Sequence, residues 1–245
     1  MVKMFLKSIA YRAAPGAARQ LDEYLWVIKH GKQLARDLPS LTLEDKVRRL
    51  TAVNPIRSNQ KFSEILGLLK ILEQDPPRSF CEIGDAMGGT LALFSQVAAA
   101  GANAITIDLE FTRAQKKAYS ILRGNTSSIA CIEGDSHSVA TLKRVRAILS
   151  ENKLDFLFID GDHSYDGVKK DFEMYSPLVR PGGIIAFHDI HPDYKTCKGT
   201  PTACDVGEVP RYWDELKRSV PIVAELVEDA SQDGYGIGVV RAGGN

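Results

Sequence analysis

Polar side chains that could do chemistry follow an apolar run near the middle of the chain. Residues 154–159 are almost entirely apolar, and Asp160, Asp162 and His163 come directly after them. An apolar run without alternation is typical of a parallel strand that is covered on both faces. Ligands of open α/β sheets bind outside the carboxyl ends of such strands. Two carboxylates and an imidazole at that place could remove a proton or hold a cation, and a polar turn without a ligand is the alternative.

A glycine-rich turn follows an earlier apolar run. Residues 78–83 lead into the segment GDAMGGT, which contains Gly84 and Gly88. Gly84 would let the chain leave the strand sharply, and Gly88 would let the backbone approach a ligand at the start of a helix with free N–H groups. The turn suits a nucleotide-like ligand, and a structural glycine turn is the alternative. The dinucleotide fingerprint G-x-G-x-x-G is absent.

Carboxylates also end the next two strand-like runs. Asp108 lies roughly 20 residues beyond the glycine turn, where a carboxylate can accept hydrogen bonds from both hydroxyls of a ribose. Asp135 ends the third run and is placed to face an adenine amino group. The three strand ends together predict a site for a nucleoside-containing cofactor.

The elements that must position these residues alternate regularly. Strand-like and helical segments succeed each other from residue 78 to residue 188, which predicts a mainly parallel sheet with helices on both faces. Residues 222–226 and 235–240 are predicted to close the sheet as an antiparallel pair. Residues 191–207 are rich in Pro, Gly and Thr and are predicted to form a long loop.

The chain before the glycine turn is predicted to be helical. Residues 17–50 have apolar side chains near helical spacing, and the segment LTLED could start another short helix. An amphipathic helix is predicted over residues 59–74. We therefore expect a helical extension over residues 1–57 and the main domain over residues 58–245. The apolar face of the extension could pack against a second copy of the chain, so a homodimer is one hypothesis.

Composition excludes several classes of partner. The 245 residues include 31 basic and 31 acidic side chains, so the chain lacks the basic excess of a nucleic-acid binder. No apolar stretch approaches the roughly 18 residues of a membrane span, and no secretory leader is recognisable. The four cysteines have no CxxC spacing, which is typical of a reduced cytoplasmic protein.

The strand-end residues resemble those of class I S-adenosylmethionine-dependent methyltransferases. The resemblance extends from about Asn59 to Arg241 and includes the runs IDGDHSYDGVKKDF and PGGIIAFHDI. These runs are similar to small-molecule O-methyltransferases related to macrolide and aminocoumarin sugar methyltransferases and to cephalosporin-hydroxylase-like proteins. The resemblance implies a Rossmann-like sheet of seven strands, S-adenosylmethionine as cofactor, and a hydroxyl of a sugar or natural-product-like small molecule as acceptor. It implies cofactor contacts for Glu82, Gly84, Asp85, Gly88, Asp108, Asp135, Ser136 and Asp160.

The resemblance also implies a cation site. Metal-using members hold a divalent cation such as Mg²⁺ with an aspartate after the fourth strand and two acidic residues after the fifth. Asp160, His188 and Asp189 occupy those positions here. Because His188 replaces a carboxylate, fewer hard oxygen ligands remain for Mg²⁺, and Mn²⁺, Fe²⁺ or Zn²⁺ would fit at least as well. A site that works without a metal is the alternative.

Two adjacent residues are candidates for the general base. Asp162 matches the residue proposed as the base in the resembling sugar methyltransferases. His163 is an alternative base, because an imidazole with an unperturbed pKa near 6.5 needs no large shift to act at neutral pH. A histidine that only holds the turn is the non-catalytic interpretation.

Two other functions compete with methyl transfer. One is an NAD-dependent oxidoreductase of the Rossmann type, and the other is a methyltransferase-like module that binds without catalysis. The polar residues at every strand end argue against the second, since a fold kept only for packing has no need of carboxylates there.

Overall fold

The computed structural model describes residues 15–243, which form one sheet with helices packed on both faces. The strands are β1 (Ser79–Ile83), β2 (Ala102–Asp108), β3 (Thr126–Glu133), β4 (Leu154–Ile159), β5 (Val179–His188), β6 (Ile222–Leu226) and β7 (Ile237–Arg241). The helices are α1 (Pro15–Asp37), α2 (Leu43–Ala52), α3 (Phe62–Leu72), α4 (Gly89–Val97), α5 (Arg113–Tyr119), α6 (Val139–Leu149), α7 (Tyr165–Tyr175), α8 (Tyr194–Lys198) and α9 (Val209–Leu216). Short 3-10 turns cover Leu38–Ser40 and Ser176–Leu178. Residues 1–14 of the predicted extension lie outside the described residues.

The sheet has the predicted architecture. Its seven strands lie in the order β3-β2-β1-β4-β5-β7-β6. Strands β1 to β5 are parallel, and β7 runs antiparallel to β5 on one side and to β6 on the other. The predicted closing pair is therefore confirmed. Strand order reverses between β1 and β4, and this is the place where open α/β sheets bind ligands.

Strand register brings the polar strand ends together. Ile83 of β1 pairs with Ile107 of β2 and with Ile159 of β4. Ile159 in turn pairs with Phe187 of β5. Because these partners are level, the next residue of each strand reaches the same edge of the sheet. Asp108, Asp160 and His188 consequently lie side by side although the sequence separates them widely.

The central strand β4 is buried on both faces, as its almost entirely apolar run predicts. Phe156 and Phe158 pack with Phe94 of α4 on one face, at ring distances of 4.9 and 5.1 Å. Leu157 and Ile159 belong to the core on the other face. Burial of a large apolar side chain contributes about 1.5–3 kcal/mol, so β4 is firmly held up to the residue before Asp160.

The segment before α3 contains two separate helices, α1 and α2, where residues 17–50 are predicted to be helical. Helix α1 ends at Asp37, and the turn at Leu38–Ser40 contains Pro39, whose ring cannot continue a helix interior. Thr42 then caps α2 by accepting a hydrogen bond from the Asp45 N–H at 3.1 Å, so the predicted short helix is confirmed. Helix α1 packs against α5, and α2 packs against α3 and α4. The domain boundary at residue 57 stays a prediction.

The predicted loop over residues 191–207 contains a short helix. Asp193 caps α8 through a hydrogen bond from the Thr196 N–H at 2.7 Å, and Gly199 ends it with a φ of 66°. The N-cap residue Asp193 and the terminating Gly199 are also typical turn residues, so the sequence of this segment favours a loop. Within residues 15–243, no helix is long and apolar enough to cross a membrane.

Candidate functional site

A crevice of about 580 Å³ opens at the carboxyl ends of β1 to β4. It lies where the strand order reverses. Polar groups on its walls come from the loop after β1 and from the ends of β2, β3 and β4. Among the predicted site residues, those that line it are Gly84, Asp108, Asp135, Ser136, Asp160 and Asp162.

The glycines of this turn let the loop after β1 pack closely against Asp160 and Tyr119. Gly84 has a φ of 86°, and a Cβ there would overlap the carbonyl oxygen of Asp160. Gly88 has a φ of 82°, and a Cβ there would overlap the hydroxyl of Tyr119. The expectation that Gly88 leaves room for a ligand therefore differs from the structure, because Tyr119 fills that space. Gly84 does line the crevice. Only a glycine at this position lets the chain after β1 pass so close to the Asp160 carbonyl group.

Asp85 faces away from the crevice. Its carboxylate accepts hydrogen bonds from the Thr106 hydroxyl at 2.9 Å, from Gln115 Nε2 at 2.8 Å and from the hydroxyl of Tyr119. Burial raises the pKa of Asp85, although these hydrogen bonds oppose the increase. The structure thus places Asp85, predicted as a cofactor contact, as a brace between the glycine loop and α5.

Glu82 is buried below the glycine loop. Its side chain is 1% exposed, and among residues 15–243 neither carboxylate oxygen has a hydrogen-bond partner. Burial, with the charges of Asp85 and Asp160 nearby, raises the pKa of Glu82 well above its usual range. Glu82 therefore lies beneath the crevice as a buried carboxyl group whose neutral form is favoured.

Asp108 holds the glycine loop and faces the crevice. Its Oδ2 accepts hydrogen bonds from the N–H groups of Asp85 at 2.8 Å and Ala86 at 3.1 Å. Its Oδ1 has a longer contact of 3.4 Å with the N–H of Glu110. One carboxylate oxygen therefore fixes the loop, and the other can accept a ligand hydroxyl.

Four consecutive residues after β3, residues 134–137, line the crevice. The side chain of Asp135 is 61% exposed, and its Oδ1 accepts a hydrogen bond from the His137 N–H at 2.8 Å. The carbonyl oxygen of Ser136 accepts a hydrogen bond from the Tyr175 hydroxyl at 2.8 Å. His137 also lines the crevice. Sequence reasoning stopped at Ser136 and missed His137, although the run Asp-Ser-His continues past the strand end.

A cluster of two carboxylates and an imidazole lies at the β4 and β5 ends. His163 Nε2 lies 3.5 Å from Asp160 Oδ1, and His163 Nδ1 lies 3.6 Å from Asp189 Oδ2. One ligand atom from each of the three residues falls within 4.8 Å of the others, a spacing that could hold a metal ion. We call Asp160, His163 and Asp189 the carboxylate–histidine cluster. Sequence reasoning had placed His188 in this set and His163 outside it.

His188 supports the cluster from the buried side. Its Nδ1 lies 3.1 Å from Asp160 Oδ1 and 3.3 Å from Asp189 Oδ2. Its side chain is only 6% exposed, and its Nε2 is buried without a hydrogen-bond partner among the described residues. Asp189 has a positive φ of 61°, a strained conformation that is common at functional sites. The imidazole therefore contacts both carboxylates while its other nitrogen points into the protein.

Charges within the cluster shift its pKa values strongly. Burial opposes ionisation of Asp160, but the charges and hydrogen bonds of His188 and His163 outweigh it and lower the pKa of Asp160 to about 2. The hydrogen bond with Asp160 raises the pKa of His163 to about 9 against the effect of burial. A pKa of about 9 favours the protonated form of His163 at neutral pH, so His163 is less suited than Asp162 to removing a proton.

Asp162 lies in the turn before α7, on the crevice wall. Its Oδ1 accepts a hydrogen bond from the Ser164 N–H at 2.8 Å, and this bond lowers the pKa of Asp162. Asp162 is therefore ionised at neutral pH and can accept a proton from a group that is itself acidified.

Gln60 contacts the cluster from the segment before α3. Its Nε2 donates a hydrogen bond to Asp160 Oδ2 at 3.1 Å. Its Oε1 accepts hydrogen bonds from the hydroxyls of Ser58 and Thr90, which fixes the orientation of the amide. Sequence reasoning missed Gln60, because a contact between residues 100 positions apart leaves no local pattern.

The sequence between β1 and the end of β5 matches a known family. Residues 81–190 match the family model described as a methyltransferase domain. A curated relative, an uncharacterized protein of Acanthamoeba polyphaga mimivirus, is 34% identical over 141 residues, which are 55% of this chain and 60% of that protein. The match thus spans less than two thirds of the relative.

Solved structures of methyltransferases share the fold of this chain. An O-methyltransferase from Bacillus cereus in complex with SAH is 17% identical, with a TM-score of 0.57 over 86% of this chain and 96% of that one. The O-methyltransferase TomG from Streptomyces achromogenes, in complex with SAM, is 15% identical, with a TM-score of 0.57 over 88% and 98% of the two chains. At these identities the likeness shows that the chain shares the fold of these methyltransferases. The predicted Rossmann-like architecture is confirmed.

Proposed function

We propose that the protein transfers the methyl group of S-adenosylmethionine to a hydroxyl oxygen of a small molecule. The observation that carries this proposal is the continuity of the crevice: Asp108, Asp135 and Asp160 line one space. A ribose-binding carboxylate and a reactive cluster are therefore within reach of one bound cofactor. The methyltransferase-domain match favours this function over an NAD-dependent oxidoreductase.

The order of the residues along the crevice supports one orientation of the cofactor. Asp108 Oδ1 has only the longer contact with the Glu110 N–H and can accept the ribose hydroxyls, and the residues after β3 lie on one side of it. The β4 end lies on the other side, since β1 separates β2 from β4 in the sheet. We place the adenine against Asp135 and Ser136 and the methyl-bearing sulfur near Asp160 and Asp162.

Methyl transfer requires alignment and removal of one proton. The acceptor oxygen attacks the methyl carbon, the bond from carbon to sulfur breaks, and sulfur keeps the electron pair. The hydroxyl proton leaves to a base, and the positive charge of the sulfonium disappears. Asp162 is the base in this proposal, because it is ionised and lines the crevice beside Asp160. Positioning and general base catalysis are the main contributions of the protein.

The carboxylate–histidine cluster fits a divalent cation. Two carboxylate oxygens and one imidazole nitrogen suit Mn²⁺, Fe²⁺ or Zn²⁺ better than Mg²⁺, which prefers oxygen ligands. A bound cation would lower the pKa of an acceptor hydroxyl. His188 and Gln60 would hold the Asp160 carboxylate in place. This proposal replaces His188 with His163 in the predicted ligand set and leaves Asp162 as the base.

Calorimetric titration with S-adenosylhomocysteine and with NAD⁺ tests the proposed function. We expect micromolar binding of S-adenosylhomocysteine and none of NAD⁺. Asp108→Asn should weaken binding about 10–100-fold, since it removes a charged hydrogen-bond acceptor from the ribose. Glu151→Gln, an exposed change outside the crevice lining, is the matched control and should bind normally. Binding of NAD⁺ alone would exclude the proposal.

The predicted homodimer also stays a proposal. Helix α1 exposes an apolar stripe at helical spacing, formed by Leu21, Leu25 and Ile28. Analytical ultracentrifugation of the full chain measures its oligomeric state directly.

A further inference from the structure

A second cavity opens at the opposite edge of the sheet from the crevice. It has a volume of about 600 Å³ and lies beside the amino ends of β4 and β5, where β7 ends. We call it the amino-edge pocket, and its lining includes Phe172, Val179, Ile185, Val220 and Val240. None of the residues that line the crevice also lines this pocket. The amino-edge pocket is therefore separate from the proposed cofactor site.

The floor of the amino-edge pocket is apolar. Val179, Ile185 and Val240 are buried and belong to the core on this face of the sheet. Phe172 of α7 and Val220, which follows α9, are partly buried and pack against the same core. A cavity of this volume with a mainly apolar lining is typical of a small-molecule site. The floor therefore suits the apolar body of a small ligand.

Two exposed cations also line the amino-edge pocket. Lys153 Nζ donates a hydrogen bond to the carbonyl oxygen of Pro177 at 2.7 Å, and Arg241 Nη1 donates one to the carbonyl oxygen of Gly182 at 2.9 Å. A carbonyl oxygen carries no net charge, so these hydrogen bonds hold the two cations without neutralising them. Within residues 15–243, neither cation forms an ion pair and no acidic residue lines the pocket. The positive charge of both side chains is therefore left for a ligand.

The floor and the cations together favour one class of ligand. The buried side chains of the floor cannot pair with the hydroxyls of a sugar, and burying hydroxyls without hydrogen bonds is costly. The two cations repel a positively charged molecule, whereas they can form charge-assisted hydrogen bonds with a carboxylate or a phosphate. An apolar molecule with a single anionic group satisfies both conditions.

We propose that the amino-edge pocket binds a small molecule with an apolar body and one anionic group, and that Lys153 and Arg241 hold the anionic group. A carboxylate and a phosphate both have this chemistry. The inference is independent of the proposed function, because no residue of the crevice lining takes part in it.

Calorimetric titration of the full chain with octanoate and with octanamide tests the proposal. The two probes have the same apolar body and differ in the charge of the head group. Octanoate should bind about 10–100-fold more tightly, since hydrogen bonds to a charged group contribute more than those between neutral groups. A titration with octyl phosphate distinguishes the two sources of negative charge, because the tighter of the two anionic probes identifies the preferred head group.

Lys153→Met and Arg241→Met each remove one positive charge and keep an apolar stem at the pocket. Each should weaken octanoate binding about tenfold and leave octanamide binding unchanged. Lys170→Met removes an exposed lysine of α7 outside the pocket lining and is the matched control, which should bind both probes as the wild type does. Val220→Trp should abolish binding of both probes, because the indole fills the cavity. Thermal unfolding identifies any variant that has not folded, and Lys153→Met, at an exposed position, keeps the measurement available in that case.

Three outcomes would contradict the proposal. Equal affinity of the wild type for octanoate and octanamide, or octanoate binding that neither Lys153→Met nor Arg241→Met weakens, would show that the cations do not hold the ligand. Absence of octanoate binding at millimolar concentration would exclude this class of ligand. A second copy of the chain is the alternative occupant, so a ligand-free dimer that Val220→Trp dissociates in analytical ultracentrifugation would overturn the inference.

Discussion

The strand-end residues form a small group of charges that hold one another in place. Asp160 contacts His163, His188 and Gln60, each from a different direction. In this arrangement the acid is more acidic than usual and the imidazole of His163 is more basic. The protonation state of each side chain is therefore a property of the cluster, and binding of the proposed cation would change it.

The raised pKa of His163 makes stability depend on pH. The folded protein holds the His163 proton up to about pH 9, whereas the unfolded chain releases it near 6.5. The stabilisation is thus fully present below pH 6.5 and is lost as pH rises through 9. In chelator-containing buffer, we expect the free energy of unfolding to fall between pH 6.5 and pH 9. Urea denaturation at several pH values measures the decrease.

His163→Gln is the control for that measurement. Glutamine can hydrogen-bond to the carboxylates but does not titrate, so this variant should show a flatter profile in the same window. An identical profile in both proteins would contradict the assignment of the raised pKa to His163.

Gln60 offers a test of the cation site that needs no acceptor. Its amide orients Asp160, and loss of a residue that supports a metal ligand typically weakens metal binding 10–100-fold. Gln60→Ala should therefore reduce Mn²⁺ affinity by that factor in a calorimetric titration. Gln74→Ala, at an exposed position after α3, should have no effect. Equal Mn²⁺ affinity in all three proteins would argue against the role of Gln60.

At the scale of elements, the turn after β1 is held by its neighbour β4. Gly84 has a positive φ and also lies directly against the Asp160 carbonyl group. Gly101, in the turn before β2, has a similar φ of 80°, but a Cβ at this position would meet no atom within 4 Å among the described residues. The two positions therefore separate the cost of backbone conformation from the cost of a close neighbour.

We expect Gly101→Ala to destabilise the protein by about 1–2 kcal/mol, the cost of a left-handed conformation for a non-glycine residue. Gly84→Ala should cost clearly more, because the end of β4 must move as well, and it should also weaken binding of S-adenosylhomocysteine. Chemical denaturation and calorimetry measure the two effects. Equal destabilisation by both substitutions would show that contact with β4 is unimportant.

The strands and their polar ends could be predicted from the sequence, whereas several side-chain directions could not. Apolar runs such as residues 154–159 predict buried strands directly, and strand ends in a parallel sheet meet at one edge. Asp85 follows such an end but turns toward Thr106 and Gln115, because the loop around it curves over α5. The local sequence does not predict that curvature of the loop.

The same limit applies to the cluster. His163 and His188 are both adjacent to predicted strand ends, but only His163 joins Asp160 and Asp189 in the set that could hold a metal. Which imidazole faces the opening depends on how β5 and the start of α7 pack. These are tertiary contacts. A comparison of motifs uses only the position of each histidine in the sequence, so it does not show which one faces the opening.

At the scale of the whole molecule, the crevice couples cofactor binding to folding. Its walls come from β1 to β4, which form the centre of the sheet, and the groups on them come together only when these strands are paired. A ligand that binds this crevice should therefore bind the folded state and not the unfolded chain.

Saturation with S-adenosylhomocysteine should consequently stabilise the entire fold. A ligand present at 100 times its dissociation constant adds about 2.7 kcal/mol to the free energy of unfolding. We expect a single unfolding transition that moves to higher temperature as the ligand concentration rises, measured by differential scanning calorimetry. In Asp108→Asn the shift should require about 10–100 times more ligand, since that variant lacks the charged ribose acceptor. A shift produced by NAD⁺ but not by S-adenosylhomocysteine would mean that this sheet edge serves a different cofactor.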